Sequence, residues 1–295
     1  MSRIAYCNGR WLPIGAPAVP VEDRGLQFAD AVYEVVKAVD GRPCDLDRHL
    51  DRLDRSLGQL RLAWPMSRRA LVAVVMEGLR RSALRDVAIY LQVGRGVAPR
   101  SHPFPIGAKP GLIATFRRAS FPGRRELEQG VKVISLPDER WARCDIKSVG
   151  LLPNVLARQR AAEAGCREAW LVGEDGLVTE GGGSNAYIVD RRGRLVTRPL
   201  GPAILPGVTR SVLLGLARRD GIEVEERPFT LDEAMEAREA LLSSTTSLLL
   251  PVVEIDGRPV GNGHPGSVGR RLFELYAAHC GLAARYGGSA SPPRA

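Results

Sequence analysis

The spacing of apolar and polar residues predicts a mixture of strands and helices in the first 119 residues. Ile4–Cys7 and Arg10–Pro13 flank an Asn-Gly pair, the dipeptide most typical of a tight β-hairpin. Ala31–Val39 alternates with period two, which predicts a strand. Leucines at three- and four-residue steps between positions 46 and 60 predict an amphipathic helix, and Ser67 favours the N-cap of a second one. Further strands are expected near residues 87–93 and 111–116.

A charged stretch at residues 117–129 separates this segment from the rest of the chain. Pro122-Gly123 lies within it and breaks any periodicity, so we expect a linker there. Farther on, Gly207 precedes an amphipathic run, and Thr230-Leu-Asp-Glu233 matches a capping box, so helices are expected at both places. The other elements expected here are helices at 151–164 and 268–279 and strands at 131–136, 187–189, 195–197 and 222–227 and around Trp170 and Val178.

These elements indicate two domains of the α+β class. We expect a smaller domain at residues 1–119 and a larger one at 120–285. The tail at 286–295 consists mostly of Gly, Ser and Pro and has no core residues, so it is expected to be disordered.

Composition narrows the class of protein further. With 44% hydrophobic residues among 295, the chain suffices for a buried core, and no apolar run is long enough to span a bilayer. The start of the chain lacks the apolar region of a signal peptide, which favours a cytoplasmic location. Five scattered cysteines without a C-x-x-C pair favour reduced thiols and no metal site. The net charge is +9, but only 5% of residues are aromatic, which argues against a nucleic-acid partner.

Lysine is scarce in this chain, which simplifies the search for an amine nucleophile. Only four lysines occur among the 42 lysines and arginines. Arginine stays protonated, whereas a lysine in a partly desolvated pocket can form an imine with a carbonyl. Lys37, Lys109 and Lys132 lie in sequences typical of ordinary strands or loops, which leaves Lys147 as the candidate.

Other segments carry candidate partners for a phosphorylated pyridine cofactor. Glu180 leads into a glycine loop, where its carboxylate is suited to a protonated ring nitrogen, although an exposed hairpin explains it equally. Backbone N–H groups of Gly207, Val208 and Thr209 would be free at a helix start, where a phosphate binds readily. The hydroxyls at 243–247 are a second candidate for the phosphate.

A basic helix face in the first segment is the third candidate for a phosphate site. Arg48, Arg52 and Arg55 share one face, for which a solvated surface is the ordinary explanation. Each signal has such an alternative, but together they are the parts that hold pyridoxal phosphate.

Several motifs resemble the fold-type IV pyridoxal-phosphate enzymes, and among these the D-amino-acid aminotransferases. The segments that carry the resemblance are EDRGLQFADAVYEVVK (22–37), HLDRL (49–53), QVGRGVAPRSH (92–102), RCDIKS (143–148), TEGGGSN (179–185), GVTR (207–210) and STTS (244–247). The resemblance implies a two-domain α+β fold with the cofactor between the domains, and a homodimer.

The resemblance also assigns residues to the cofactor. Lys147 would hold pyridoxal 5′-phosphate as a Schiff base, the internal aldimine, and then shuttle a proton at the substrate α-carbon. Glu180 would pair with the ring nitrogen. The phosphate would be held by Arg52, Gly207, Val208, Thr209, Ser244 and Thr245.

A smaller set is implied for the substrate. Tyr33, Arg100 and His102 match a trap for the α-carboxylate in which the Arg-x-His element comes from the partner subunit. The set is completed by Gly183, Ser184 and Thr246. The chain departs from the family pattern at Gly181-Gly-Gly183, where serines are expected, which affects the range of side chains more than the reaction.

The implied reaction is a two-stage amino transfer. A D-amino acid such as D-alanine or D-glutamate would donate its amino group, and 2-oxoglutarate or pyruvate would accept it. The nearest alternatives share the fold: a branched-chain L-amino-acid or amine transaminase, or an aminodeoxychorismate lyase. A binding protein that has lost catalysis is a further alternative, against which the presence of both Lys147 and Glu180 argues.

Overall fold

The computed structural model describes residues 4–16 and 18–287, which fold as two units. The first unit is Met1–Ser120 with Ile146–Gly150, and the second is Phe121–Asp145 with Leu151–Ala295. The segment Ile146–Gly150, expected in the second domain, thus lies in the first unit. It is held there by backbone pairing, because the Tyr33 amide donates to the Lys147 carbonyl at 2.9 Å and the Val149 amide to the Ala31 carbonyl at 3.1 Å.

The first unit contains an antiparallel sheet with helices packed on it. The sheet has six strands within the described residues, in the order β2-β1-β6-β5-β3-β4. The strands are β1 (Ile4–Cys7), β2 (Arg10–Pro13), β3 (Ala31–Val39), β4 (Arg42–Pro43), β5 (Val87–Gly94) and β6 (Gly111–Arg118), and the helices are α1 (Arg24–Phe28), α2 (Leu46–Gln59) and α3 (Arg68–Ser82).

Apolar side chains of α2 and α3 explain why these helices form and pack here. The stripe on α2 includes Leu50, Leu53 and Leu57, which are buried in one core with Leu71 of α3. This burial stabilises the helices more than propensity does. The Ser67 hydroxyl accepts a hydrogen bond from the Ala70 amide at 3.2 Å, which confirms the predicted N-cap.

The second unit contains a mixed sheet. Nine strands pair within the described residues, in the order β12-β11-β10-β13-β14-β7-β8-β9, with β15 beside β14. The strands are β7 (Val131–Pro137), β8 (Glu168–Val172), β9 (Val178–Gly181), β10 (Asn185–Val189), β11 (Leu195–Thr197), β12 (Val224–Glu226), β13 (Glu239–Ser244), β14 (Leu248–Ile255) and β15 (Arg258–Pro259). The helices are α4 (Arg124–Gln129), α5 (Leu152–Glu163), α6 (Val208–Arg219), α7 (Leu231–Glu236) and α8 (Ser267–His279).

The fold confirms the α+β class and most predicted elements, with three differences. Helix α4 occupies part of the expected linker, because Glu126 accepts a hydrogen bond from the Gly123 amide and caps it. The short helix α1 and the strands β4, β13, β14 and β15 have no predicted counterpart. The tail prediction is wrong at Tyr286, which ends a 3₁₀ helix and packs edge-on against Phe273 at 4.9 Å, while residues 288–295 lie outside the described residues.

Across the described ranges, 4–16 and 18–287, every helix is too short or too polar to cross a membrane.

Candidate active site

Lys147 lies beside the end of β3 in the first unit. Its own amide donates to the Ser56 hydroxyl of α2 at 3.4 Å, and the next residue, Ser148, pairs with Val32. The side chain is half-buried, and Nζ lies 4.2 Å from the centre of the Tyr33 ring. The structure therefore brings together the expected amine and one of the three residues expected to hold the substrate carboxylate.

Tyr33 is itself held by an aromatic neighbour. Its ring stacks on that of Tyr90, with 5.6 Å between centroids, and the Tyr90 hydroxyl donates to the Gln92 side chain at 2.7 Å. Burial, reinforced by Tyr33, raises the pKa of Tyr90 to about 12, so Tyr90 remains a neutral phenol. The stacked pair fixes the plane of the Tyr33 ring beneath the lysine.

Arg52, an expected phosphate ligand, is oriented by a buried carboxylate. Its Nε and Nη2 each donate to Glu34 at 2.7 Å, and His49 Nδ1 donates to the same carboxylate at 2.8 Å. Burial alone would raise the pKa of Glu34, but the charge and hydrogen bonds of Arg52 and the contact with His49 bring it down to about 2. Glu34 is therefore ionised at neutral pH and fixes the Arg52 side chain.

The helix face that carries Arg52 is only partly solvated. Arg48 and Arg55 are exposed, as an ordinary basic surface would be, whereas Arg52 is only 8% exposed. Arg52 thus differs from these two arginines in its burial.

Arg100 and His102 lie in the loop between β5 and β6. Both side chains are exposed and gather at Phe28, with the Arg100 guanidinium 4.5 Å and the His102 ring 5.4 Å from its ring centre. The Arg100 and His102 side chains thus both pack on the Phe28 ring, which places their hydrogen-bond donors close together.

Glu180 lies in strand β9 of the second unit and is buried among hydrogen-bond donors. Asn185 Nδ2 donates to Oε2 at 2.9 Å, the Leu205 amide donates to Oε1 at 3.1 Å, and Arg140 Nη1 donates to Oε1. Donors from three residues favour an ionised carboxylate in a fixed orientation.

Arg140 is fixed in turn by a second carboxylate. Its Nε and Nη2 donate to the two oxygens of Asp138 at 2.8 and 2.7 Å, and Nη2 also donates to the Ala203 carbonyl at 3.1 Å. Burial alone would raise the pKa of Asp138, but hydrogen bonds and charge from Arg140 lower it. Burial opposes the charge on Arg140, yet Asp138 and Glu180 raise its pKa overall, so Arg140 and Asp138 both stay charged.

The two predicted phosphate segments of this unit meet around Asn185. Gly207 packs so closely against Asn185 that an added Cβ would lie 2.0 Å from its Oδ1. Asn185 also pairs across the sheet with Ser243, the residue before the turn of hydroxyl side chains. Asn185 therefore contacts the start of α6 and Glu180 and pairs with the strand that leads into this turn.

Donors for an anion are present at both segments. The first-turn N–H groups of α6, beginning with Val208 and Thr209, have no partner within the helix. The Thr209 hydroxyl lies 3.1 Å from the Tyr276 hydroxyl. Ser244 and Thr245 are half-buried in the turn, where the Ser244 hydroxyl accepts from the Ser247 amide at 3.0 Å.

The glycine loop after Glu180 holds two of the residues expected at the substrate. The Ser184 hydroxyl donates to Glu168 Oε2 at 3.0 Å, and the Gly183 amide donates to the same oxygen at 3.3 Å. Arg158 pairs with this carboxylate at 2.9 Å. The Ser184 hydroxyl is thus already bonded within the loop, while Gly183 is exposed. Thr246, the third of the set, is half-buried in the turn after β13.

The donor set of the second unit fits pyridoxal phosphate. A fixed carboxylate suits a protonated ring nitrogen, and helix N–H groups with a hydroxyl turn suit a phosphate. Gly207 has to lack a side chain for Asn185 to reach Glu180, which links the phosphate end of this set to the ring-nitrogen end.

Comparison with known proteins identifies an aminotransferase. A model of the amino-transferase class IV family matches residues 31–255, and the chain belongs to this family. It is 40% identical over 265 residues to the D-alanine aminotransferase of Bacillus licheniformis, covering 90% of this chain and 93% of that protein. It is 36% identical over 269 residues to the D-alanine aminotransferase of Staphylococcus haemolyticus, covering 91% and 95%.

Solved structures show the same fold. The branched-chain amino acid aminotransferase of Escherichia coli superposes with a TM-score of 0.87 at 24% identity, covering 96% of each chain. The branched-chain aminotransferase of the thermophilic archaeon Thermoproteus uzoniensis, solved with norvaline, superposes with a TM-score of 0.85 at 26% identity, covering 97% of each chain.

Several supporting residues were not predicted from the sequence. In the sequence Glu34 is one position of a mostly apolar strand. A carboxylate at a fully buried strand position needs a charged or hydrogen-bonding partner, and this need was a signal. His49 lies three residues before Arg52 on the same helix face, which was a usable signal. No local pattern marks Arg140, Asp138 or Asn185 as partners of Glu180.

Proposed function

We propose that this protein is a pyridoxal 5′-phosphate-dependent D-amino-acid aminotransferase. It transfers the amino group of a D-amino acid of the D-alanine or D-glutamate type to a 2-oxo acid such as 2-oxoglutarate or pyruvate. The exchange takes place in two half-reactions at one site, so the kinetics are ping-pong.

The observation that carries this proposal is the position of Lys147 against Tyr33. Nζ lies 4.2 Å from the ring whose hydroxyl is expected to hold the substrate carboxylate. A substrate held at Tyr33 would place its α-carbon near the amine that moves the α-proton.

The chain's residues have distinct roles toward the cofactor in this proposal. The bound cofactor supplies an electron sink for the electrons left by α-proton removal. Lys147 attaches the cofactor and moves the proton at the substrate α-carbon. Glu180 keeps the ring nitrogen protonated, and its bonds to Arg140 and Asn185 prevent it from turning away.

The phosphate is assigned to several separate donors in this proposal. Arg52, fixed by Glu34, supplies a charge, and the first turn of α6 supplies N–H groups at Val208 and Thr209. The remaining phosphate donors in the proposal are Gly207, Ser244 and Thr245.

Specificity for D-amino acids rests on the carboxylate trap. Arg100 offers a planar fork that binds a carboxylate through two hydrogen bonds, and Tyr33 and His102 add donors. With the carboxylate and the lysine fixed, only one enantiomer turns its α-hydrogen toward Lys147. Gly183, Ser184 and Thr246 complete the proposed substrate site, with Ser184 acting through its bond to Glu168.

A homodimer is part of the proposal, because Arg100 and His102 of one protomer are expected to complete the site of the other. Exposed apolar side chains near these residues support a covered surface, including Leu26, Phe104 and Ile106. Light scattering coupled to gel filtration tests this: a mass of one chain would contradict it. The cytoplasm is the proposed location, since all five cysteines are free thiols.

A branched-chain L-amino-acid aminotransferase is the second candidate function. The structural neighbours named above are branched-chain enzymes, but they share only 24% and 26% identity with this chain, against 40% and 36% for the D-alanine enzymes. Faster turnover of L-leucine than of D-alanine would favour this second candidate.

Substitution of Lys147 tests the proposed chemistry. Lys147→Ala is expected to abolish D-alanine transamination while the protein stays folded, because no other described side chain is proposed to move the α-proton. Lys132→Ala is the matched control, since Lys132 is 57% exposed and pairs with Glu254 on the surface. The control should keep wild-type activity, and activity in Lys147→Ala would refute the assignment.

A further inference from the structure

We propose that Arg24 is a positioning residue for recognition of the substrate α-carboxylate. It fixes the backbone of Ser101 and His102 and thereby sets where Arg100 and His102 present their donors. This inference rests on the proposed function and assigns to Arg24 a role in the KM for the amino acid.

The contacts of Arg24 lead directly to this loop. Arg24 is the first residue of α1 and is only 3% exposed, which is unusual for an arginine. Its Nη1 donates to the Ser101 carbonyl and its Nη2 donates to the His102 carbonyl at 3.2 Å. One rigid guanidinium therefore holds two successive peptide units of the loop.

Arg24 is held in place by a largely buried carboxylate and a second arginine. Its Nε donates to Asp30 Oδ2 at 2.9 Å, and Arg95 donates to both oxygens of Asp30 at 2.7 and 3.0 Å. Arg95 also donates to the Leu60 carbonyl at 2.8 Å, which ties this cluster to the end of α2. Burial alone would raise the pKa of Asp30, but the two arginines lower it, so Asp30 stays charged.

Phe28 joins the same cluster to the side chains of the trap. The Arg24 guanidinium lies 4.7 Å from the centre of the Phe28 ring, and that of Arg100 lies 4.5 Å from it. His102 lies 5.4 Å from the same ring. Arg24 thus holds the loop backbone through its hydrogen bonds, and it packs on the same Phe28 ring as the Arg100 and His102 side chains.

The base of the loop has its own support, independent of the Arg24 side chain. The Arg24 amide donates to the Gly96 carbonyl at 2.9 Å, and the Ala98 amide donates to the Glu22 carbonyl at 3.3 Å. Residues 100–102 lie in none of the described helices or strands. Removing the Arg24 side chain should therefore leave the hydrogen bonds at Gly96 and Ala98 intact and loosen only residues 100–102, the tip of the loop.

A loosened tip should weaken binding without changing the chemical step. A pre-organised loop binds a carboxylate without first having to be ordered, and loss of that order raises KM. The substitution does not touch Lys147 or the groups proposed to bind the cofactor, so kcat and the absorption spectrum of the bound cofactor should stay unchanged. Loss of two hydrogen bonds from a charged donor corresponds to a KM about tenfold or more above wild type.

The test measures kcat and KM for D-alanine in Arg24→Ala, Arg100→Ala and the double variant. We expect Arg24→Ala to raise KM about tenfold with kcat within about twofold. If Arg24 acts through Arg100, it should add less than about twofold to the KM of Arg100→Ala. Inhibition by propionate, a carboxylate without an amine, should weaken in parallel with KM.

Two further variants complete the design. Arg24→Lys keeps the charge but not the fork, so it should raise KM as well, and it replaces Arg24→Ala if that variant does not fold. Arg85→Ala is the control, because Arg85 also pairs with a carboxylate, Asp40, but at a side-chain exposure of 83%. Its KM should be unchanged.

The outcomes separate this inference from the proposed function. A wild-type KM in both Arg24 variants would overturn the positioning role, and so would a full additional tenfold rise in KM in the double variant. Either result leaves the proposed function supported as long as the wild-type protein is active with D-alanine. A wild-type protein inactive with D-alanine would refute the proposed function and this inference with it.

Discussion

Replacement of Arg140 by methionine tests whether the buried ion network holds Glu180. The Arg140 side chain is 6% exposed and forms ion pairs with both Asp138 and Glu180. Methionine has a similar length but no donor, so both carboxylates lose their cationic partner. Breaking a buried ion pair by removing one partner costs about 3–5 kcal/mol of unfolding free energy.

Arg143→Met is the matched control for this substitution. Arg143 also binds a carboxylate two residues away through Nε and Nη2, at 2.9 and 3.1 Å from Asp145. The Arg143 side chain is 43% exposed while that of Asp145 is 8% exposed, so water can reach the guanidinium side of the pair and its loss should cost about 1 kcal/mol. The two variants differ chiefly in burial and in the link to Glu180.

The assay is urea unfolding of both variants with saturating cofactor, followed by tryptophan fluorescence. Trp170 is fully buried in the core of the second unit and reports on it. We expect the Arg140 variant to lose at least about 2 kcal/mol more than the control. Equal losses in the two variants would refute the claim that the buried network fixes Glu180.

The ion pair of Arg140 with Asp138 also predicts how the stability of the Arg140 variant changes with pH. In the wild type, folding lowers the pKa of Asp138 below its value of about 3.9 in the unfolded chain. The carboxylate therefore stabilises the fold at any pH above about 3.9, and this contribution is lost only as the pH falls through the lower pKa of the folded protein. Without Arg140, burial dominates and raises that pKa, so lowering the pH neutralises the unpaired carboxylate. The difference in stability from wild type should therefore shrink between about pH 8 and pH 5. A difference that grows as pH falls would contradict this.

Three further substitutions test separate parts of the site. Arg100→Ala should raise KM for D-alanine by about tenfold or more while cofactor affinity stays the same; steady-state kinetics and a cofactor titration check this, and equal losses in both would make the residue structural. Thr209→Val should weaken cofactor binding by about tenfold at unchanged fold, measured by the same titration, and wild-type affinity would remove its hydroxyl from the phosphate site. Gly207→Ala places a Cβ 2.0 Å from Asn185 Oδ1 and should cost about 1–3 kcal/mol in urea unfolding. Gly215→Ala, inside the helix that Gly207 caps, has its nearest contact at 3.6 Å and should be neutral or stabilising. Equal effects of the two alanines would show that Asn185 is not displaced.

Local structure was predictable wherever one short segment determines it. Asn8 and Gly9 adopt φ values of 46° and 90°, as a tight hairpin requires, and Asn and Gly tolerate such values best. Thr230 and Glu233 form the predicted capping box because both bonds lie within one helical turn.

Long-range placement was not predictable from the pattern. Lys147 follows the second unit's residues in sequence but pairs with Tyr33 of the first, and no periodicity encodes that pairing. Parallel pairs such as β7 with β8 and β7 with β14 likewise join segments that only the assembled sheet brings together.

The charged partners of the site were the least predictable part. Arg52 shares one helix face with Arg48 and Arg55, so the spacing alone does not show that Arg52 is the buried one and binds Glu34. Glu180 was identified through its glycine loop, but the bonds that orient it come from three separate segments. Residue type shows what chemistry is possible, whereas burial and partners decide which side chain is held in place.

The central claim is tested most directly by the visible absorption spectrum of the purified, cofactor-loaded protein, recorded before and after separate additions of D-alanine and L-alanine. The proposed function predicts that the band of the bound cofactor is lost with D-alanine and persists with L-alanine, because only the D enantiomer turns its α-hydrogen toward Lys147. Loss of the band with the L enantiomer alone, or a protein that shows no visible band after addition of pyridoxal phosphate, would contradict the account.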